Sequence, residues 1–298
     1  MKTGQVHIIA DIEGVAALLI WSLSALLISY SGATPPFLMG AICLLIGFFT
    51  GALGRFRTAG EFFGVFRASP LAYLIGIGGL GGYSAFYYTA LKMAPIIEAN
   101  LVNYLWPLFI VIFSALFLKK KVGRYQVVGV VIGFLGAAVV LSGKGDFHFK
   151  GANLLSYAPA FLGALTWGLY STLTHVVHFE KSFMTVVYLF CSIFLFAGHF
   201  LTEESYYFQG YEFIPIAVLG IGTISYTFWD YAMKKGSIVM LATLAYFVPF
   251  FSTLWLVVFR RGDWNKMTLL GGFLIVIGSM VANCDKIKTL LRKKSASP

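Results

Sequence analysis

The sequence predicts an all-α membrane protein with ten transmembrane helices, arranged as two inverted-topology repeats of five. Three observations predict it. The 298 residues are 59% hydrophobic and only 11% charged, with a mean hydropathy of +0.83, whereas a soluble domain carries about a quarter charged residues. Apolar runs of about twenty residues, enough to cross about 30 Å of hydrocarbon as helix, recur along the whole chain. One half of the chain also slides onto the other at a constant offset.

The first run, 14–30, follows Asp11 and Glu13 rather than a basic region with a small-residue cleavage site, so it reads as a span and not as a cleavable signal peptide. The second, 36–54, carries "GFFTG" at 47–51, glycines that let helices approach closely. The third, 70–91, holds "GIGGLGG" at 76–82. Gly76, Gly78 and Gly81 match the dinucleotide pattern GxGxxG, but they fall inside a span and not at a strand-to-helix turn, so they read as packing residues. The fourth run, 96–117, starts after Pro95 and is interrupted by Pro107; the fifth, 125–142, carries "GVVIG" at 129–133. The second half supplies runs at 152–174, 182–201, 212–233, 238–259 and 267–284, the ninth interrupted by Pro249. Short connections leave no room for a soluble domain, and the tail "KIKTLLRKKSASP" reads as a basic, loosely ordered end.

The repeat shows best where "YTALKMAPIIEANLVNYLWPLF" (88–109) meets "DYAMKKGSIVMLATLAYFVPFF" (230–251) at an offset of 142. That shift superposes Lys92 on Lys234, Tyr104 on Tyr246, Pro107 on Pro249, Gly129 on Gly271 and Gly136 on Gly278. Near the starts of the halves, "WSLSALL" (21–27) matches "WGLYSTL" (167–173) at an offset of 146. The units are therefore 1–145 and 146–298, one integral membrane body. Five spans is an odd number, so the second unit must enter the membrane from the opposite side. That is the architecture of alternating-access transporters, with substrate held near the midplane between the halves.

An even number of spans puts both termini on one side. With that side cytoplasmic, 16 of the 22 Lys and Arg face the cytoplasm, which fits the positive-inside rule. The other six are Lys92, Lys144, Lys150, Arg260, Arg261 and Lys266, and "RRGDWNK" at 260–266 runs against the rule. The net charge of +10 is thus accounted for by topology and anionic lipid, and no nucleic-acid partner is expected. Cys43, Cys191 and Cys284 lie in or at the edge of apolar runs without CxxC spacing and read as buried thiols.

Candidate site residues are those too polar for lipid. Asn100, Asn103 and Tyr104 lack partners in hydrocarbon and should face the bundle interior or a cavity, either lining a site or bonding two helices together. Pro107 and Pro249 each remove a backbone hydrogen bond from paired spans, a pointer to a binding site and to helices that reshape. Trp21, Tyr83, Tyr87, Trp106, Trp167, Tyr170 and Tyr226 are mid-span and amphipathic, suited to a flat, partly polar substrate or a cation as well as to ordinary packing. Glu98 follows Pro95 in the first turns of a helix, where it either complements the helix terminus or binds a substrate amine or a proton. Asp230 precedes Lys234 by four residues, the spacing of a helical ion pair. His175, His178 and Glu180 sit at a loop with no further ligands, so no metal is expected. Nor is a cofactor, for the chain shows no P-loop, HExxH or nucleophile–base pairing.

The ten runs in two halves resemble the drug/metabolite transporter superfamily, EamA type, over essentially the whole chain. "EANLVNYLWPLFIVIFSALF" (98–117) is similar to the bacterial aromatic amino acid exporters, where an Asn-Tyr-Leu-Trp-Pro stretch follows a Glu in the fourth helix. The resemblance implies a central cavity with Trp21, Tyr83, Glu98, Asn103, Trp106, Trp167 and Tyr226 around it. The second half departs from the motif with Ala245-Tyr246-Phe247-Val248-Pro249, so the halves would not contribute alike. The expected protein is a monomeric or weakly oligomeric exporter of small metabolites, aromatic or other amino acids, in a bacterial inner membrane, and not an enzyme. The alternatives are a drug, cation or nucleotide-like cofactor carrier of the same superfamily and, from another class, a polytopic membrane enzyme. A cofactor carrier should place several basic residues inside spans, and an enzyme should cluster catalytic side chains at one depth.

Overall fold

A computed structural model of the chain describes residues 3–55, 58–143, 154–177 and 180–284. Among them every regular element is a helix. The first half comprises α1 (Thr3–Tyr30), α2 (Pro36–Arg55), the short α3 (Ala59–Val65), α4 (Pro70–Met93), α5 (Ile96–Asn103), α6 (Trp106–Phe117) and α7 (Arg124–Ser142). The second comprises α8 (Ala158–Leu173), entered through a 3₁₀ turn at Leu154–Tyr157, then α9 (Phe183–Thr202), α10 (Phe213–Gly222), α11 (Ile224–Lys235), α12 (Ile238–Leu244), α13 (Phe247–Val258) and α14 (Lys266–Ala282).

Seven helical stretches of the described residues are long and apolar enough to cross a membrane: α1, α2, α5 with α6, α7, α9, α10 with α11, and α12 with α13. The other three expected spans, α4, α8 and α14, fall outside that set. α8 and α14 have 16 and 17 residues, about 24–26 Å at 1.5 Å per residue. α4 has 24, but its glycines and tyrosines dilute its hydropathy.

α1 begins eleven residues before the apolar run, because its acids find partners in the second half. The Lys181 ammonium bonds both Glu13 carboxylate oxygens at 2.6 Å and lies 3.8 Å from the Tyr231 ring centroid. Asp11 accepts from the Ser237 amide at 2.6 Å and its hydroxyl at 3.0 Å, ahead of α12. At its other end the bundle is tied by Glu203, just past α9. Its carboxylate caps α2, accepting from the Phe37 and Leu38 amides at 2.9 and 3.1 Å. A helix N-terminus opened by Pro36 leaves those donors unpaired, and a carboxylate is their natural acceptor.

Three of the long stretches are broken. Pro107 cannot donate to the carbonyl of Asn103, and the chain turns at Tyr104 and Leu105, where the Leu105 amide shortens its bond to Val102 O (3.1 Å). Pro249 is preceded by the matching turn at Ala245 and Tyr246, the Tyr246 amide bonding Thr243 O at 3.3 Å. The third break, between α10 and α11 at Thr223, has no proline. There the Tyr188 hydroxyl donates to the Thr223 carbonyl at 2.8 Å, while the Thr223 hydroxyl turns back to Gly220 O at 2.6 Å.

Packing relies on small residues, as it must where lipid is as apolar as the helix surface. α7 lies on α14 with glycine facing glycine at two levels: Gly129 meets Gly278 beside Ala282, and Gly136 meets Gly271 beside Ile275. The index rises on one helix as it falls on the other, so the two run antiparallel. A Cβ on Gly278 would stand 2.6 Å from Gly129 O, and one on Gly136 2.8 Å from Gly271 O. α2 lies on α9, α4 on α8 and α1 on α11, while α6 packs on α8 as α13 packs on α1. In α4, Gly79 is filled by the Tyr170 ring and Gly76 by Val187, so "GIGGLGG" is a helix-packing surface.

Candidate functional site

Aromatic rings from α1, α4, α6, α8 and α11 converge at the centre. Trp21 on α1 has Trp229 at 5.2 Å, Trp167 and Tyr226 each at 5.7 Å, and Trp106 at 6.4 Å between ring centroids. Trp167 on α8 touches Tyr83 at 4.9 Å, Tyr170 at 5.1 Å and Tyr226 at 5.8 Å. Trp106, at the start of α6, reaches Trp229 at 5.6 Å edge to face. Tyr83 and Tyr87, one turn apart on α4, stack at 5.8 Å with their planes 7° apart. Trp106, Trp167 and Trp229 are buried, and the tryptophan contacts are tilted or edge-on, geometries that the quadrupole favours.

Polar edges line one flank. The Asn103 amide donates to the Tyr83 hydroxyl at 3.3 Å, and the Tyr87 hydroxyl donates to Asn100 Oδ1 at 2.7 Å. Trp229 spends its indole N–H on Ser171 Oγ at 3.0 Å. Of the seven buried side-chain polar atoms without a partner among the described residues, two belong to cluster residues: Asn103 Oδ1 and the Trp21 indole N–H. One is an acceptor and the other a donor, both buried at the aromatic cluster, where an unpaired polar group costs about 1–3 kcal/mol.

The structure thus brings together Trp21, Tyr83, Tyr87, Asn103, Trp106, Trp167 and Tyr226 from the residues singled out in the sequence. Glu98 stands apart. It is buried in the first turn of α5, where the Tyr157 hydroxyl donates to its carboxylate, and Tyr157 itself packs in a small cluster with Ala90, Ala94, Ala99 and Ala160. Pro107 and Pro249 lie just past the breaks, second in α6 and third in α13. Trp229 belongs to the cluster but was not singled out, although Tyr226 and Trp229 share a helix face at i, i+3. Tyr170 joins it through Trp167. His178 lies outside the described residues, and His175 Nδ1 is 3.1 Å from Met233 O. A groove of about 580 Å³ lies elsewhere, beyond the end of α1, between Tyr30, Gly32, Tyr211, Ile214 and Arg261, where the Arg261 guanidinium sits 4.1 Å over the Tyr30 ring.

Restoring the backbone donor at the breaks tests their use. Pro107→Ala and Pro249→Ala are each expected to lower initial transport rates several-fold while leaving equilibrium ligand binding close to wild type. Wild-type rates in both variants would make the prolines incidental kinks.

Comparison with known proteins extends these observations. The model of the EamA-like transporter family matches the chain twice, over residues 8–142 and 154–284. The chain is 38% identical over 280 residues to the aromatic amino acid exporter YddG of Ancylobacter novellus, covering 92% of this chain and 96% of that protein. It is 26% identical to the aromatic amino acid exporter YddG of Salmonella typhimurium, over 91% of this chain and 96% of the relative. A crystal structure at 34% sequence identity superposes with a TM-score of 0.84, covering 92% of this chain and 97% of that one. The chain is therefore a transporter, not an enzyme, and belongs to the EamA-like transporter family.

Proposed function

We propose that this transporter exports amino acids, aromatic ones first, across a bacterial inner membrane by alternating access between two inverted five-helix repeats, 1–145 and 146–298, working as a monomer or weak oligomer. The observation that carries the substrate class is the central cluster: four tryptophans and four tyrosines beside an unpartnered amide carbonyl. Flat apolar walls suit an aromatic side chain. Asn103 Oδ1 suits the ammonium group, and the Trp21 indole N–H suits the carboxylate. The names of the relatives point the same way.

Support for the repeats comes from the crosswise glycines. The offset of 142 relates Gly129 to Gly271 and Gly136 to Gly278, and the contacts run Gly129–Gly278 and Gly136–Gly271. Reciprocal contacts of this kind mark a two-fold axis. Because α7 and α14 run antiparallel, that axis inverts one half relative to the other, and two separate matches to one family model fit the same division. α4, α8 and α14 then complete ten spans. They are short or diluted because they are packed against other helices, where hydropathy is not required. The breaks before Trp106, Tyr226 and Val248 give the substrate region the discontinuous helices typical of transporters.

Both termini are cytoplasmic in this reading, from the 16-to-6 distribution of basic residues. Alkaline phosphatase fused after Pro298 should be inactive and fused near Gly145 active; the reverse pattern would overturn the orientation. The substrate class is tested by counterflow of radiolabelled amino acids in proteoliposomes. Phenylalanine and tryptophan should exchange and compete best. Exchange of quaternary ammonium drugs or nucleotides with no amino acid exchange would replace this reading with that of a drug or cofactor carrier. Asn103→Ala should weaken binding of every amino acid alike by about 1–3 kcal/mol, since all share the ammonium group; unchanged affinities would make the amide a packing contact.

A further inference from the structure

We infer that Asp230 is a proton-binding site coupled to transport, so that a proton moving inward drives substrate outward. The inference rests on the transport reading above and adds its energy source. Asp230 is buried in α11, 1% exposed. Its Oδ2 accepts from the Lys234 ammonium at 2.7 Å, and its Oδ1 accepts from the Thr174 hydroxyl and, at 3.4 Å, from the Tyr170 hydroxyl. Tyr170 links the carboxylate to the substrate region, its ring standing 5.1 Å from Trp167. The helix that carries Asp230 also carries Tyr226 one turn earlier and Trp229 beside it, both walls of the aromatic cluster.

Stability alone does not account for the pair, because a buried ion pair is weak support for a fold. The repeat makes the point locally. At the offset of 142, Asp230 corresponds to Tyr88 and Lys234 to Lys92. Tyr88 packs on Phe37 at 5.5 Å, and Lys92 bonds the Thr202 carbonyl at 2.6 Å. One half thus builds the same place with a tyrosine, and the carboxylate is particular to the other. Ionisable groups inside spans mark proton or substrate pathways more often than packing.

The neighbouring charges are engaged elsewhere or stand beyond Lys234. On the α1 side, Glu13 is held by Lys181 and Asp11 by Ser237. Two residues past α8, His175 faces the Met233 carbonyl. From α9, the Met184 sulfur accepts from the Tyr170 hydroxyl at 3.6 Å and the Tyr188 hydroxyl is spent on the Thr223 carbonyl, and Lys235 follows Lys234 in α11. A proton taken up by Asp230 converts the carboxylate to a neutral carboxyl and releases Lys234, whose side chain is 11% exposed, toward the cytoplasmic end. From the outer side the proton reaches Asp230 only past Tyr170, when the cluster is open outward and empty of substrate. It leaves beside Lys234 when the cluster opens inward and fills. Uptake of the proton and release of the substrate therefore belong to the same outward-facing state.

The test uses proteoliposomes with an acid lumen, neutral outside, and the potential clamped to zero with potassium and valinomycin. Wild-type protein should accumulate radiolabelled phenylalanine by about tenfold per unit of pH difference, the factor for one proton per substrate. Asp230→Asn should lose the accumulation while keeping counterflow without a gradient, and Asp230→Glu should keep both. Wild-type counterflow without accumulation overturns the inference and leaves the export reading standing, as does full accumulation by Asp230→Asn. If wild type shows no counterflow at all, the export reading falls and the inference with it. If Asp230→Asn does not fold, pyranine trapped with the wild type decides: phenylalanine uptake must raise the pH of the lumen, and an unchanged lumen overturns the inference.

Discussion

Trp167→Ala is expected to weaken binding of phenylalanine and tryptophan by about 1–3 kcal/mol, roughly a factor of 5 to 150 in affinity, while small amino acids lose little. Trp167 has the central place in the cluster, its ring within 6 Å of Trp21, Tyr83, Tyr170 and Tyr226. Removing it deletes a flat wall and lets four neighbours relax into the gap. The loss should scale with the ring that the ligand brings, in contrast to the uniform loss expected of Asn103→Ala. Ligand-induced thermal stabilisation, read against each variant's own unliganded midpoint, separates the two, because Trp→Ala in a core also lowers stability by about 3–5 kcal/mol. Equal losses for phenylalanine, alanine and threonine would contradict a ring-binding wall at Trp167.

Gly129→Val is expected to destabilise the protein by about 3 kcal/mol or more, since the added side chain meets backbone that cannot move aside. Its Cβ would press on the Ala282 amide and the Gly278 carbonyl, and the partner contacts at Gly136, Gly271 and Gly278 are just as close to main chain. A valine there must push α7 away from α14 along its length. Gly78→Ala is the control: it lies in α4 with open space around the new methyl, and its unfolding midpoint in detergent should match wild type. If Gly129→Val unfolds with the control, the two helices are not in the contact described.

Legibility followed the range of each interaction. The proline breaks were readable because Pro107 and Pro249 act on their own helices, and the Asp230–Lys234 pair because both groups lie on one turn. The offset of 142 made the glycine pairs visible as equivalents, but their crosswise contact required the fold. Aromatic residues of five separate helices are marked in the sequence as costly in lipid, and Trp229 is not among them, although its i, i+3 spacing from Tyr226 is a local signal that puts both rings on one face. The reach of α1 to Thr3 was hidden because Asp11 and Glu13 look like the end of a span until Lys181 and Ser237 are seen across the bundle. The break at Thr223 depends on a hydroxyl from Tyr188, 35 residues away. Glu98 left two readings open, and its bond to Tyr157 comes from 59 residues on.

The central claim is that substrate binds among the converging rings, and tryptophan emission tests it directly. The chain has six tryptophans, and Trp21, Trp106, Trp167 and Trp229 are in the cluster. Phenylalanine does not emit under tryptophan-selective excitation, so it can be titrated into the purified protein without its own signal. The account predicts a saturable change in emission whose half-point matches the concentration that half-saturates counterflow. An emission spectrum unchanged at concentrations that saturate counterflow would place the substrate elsewhere and contradict it.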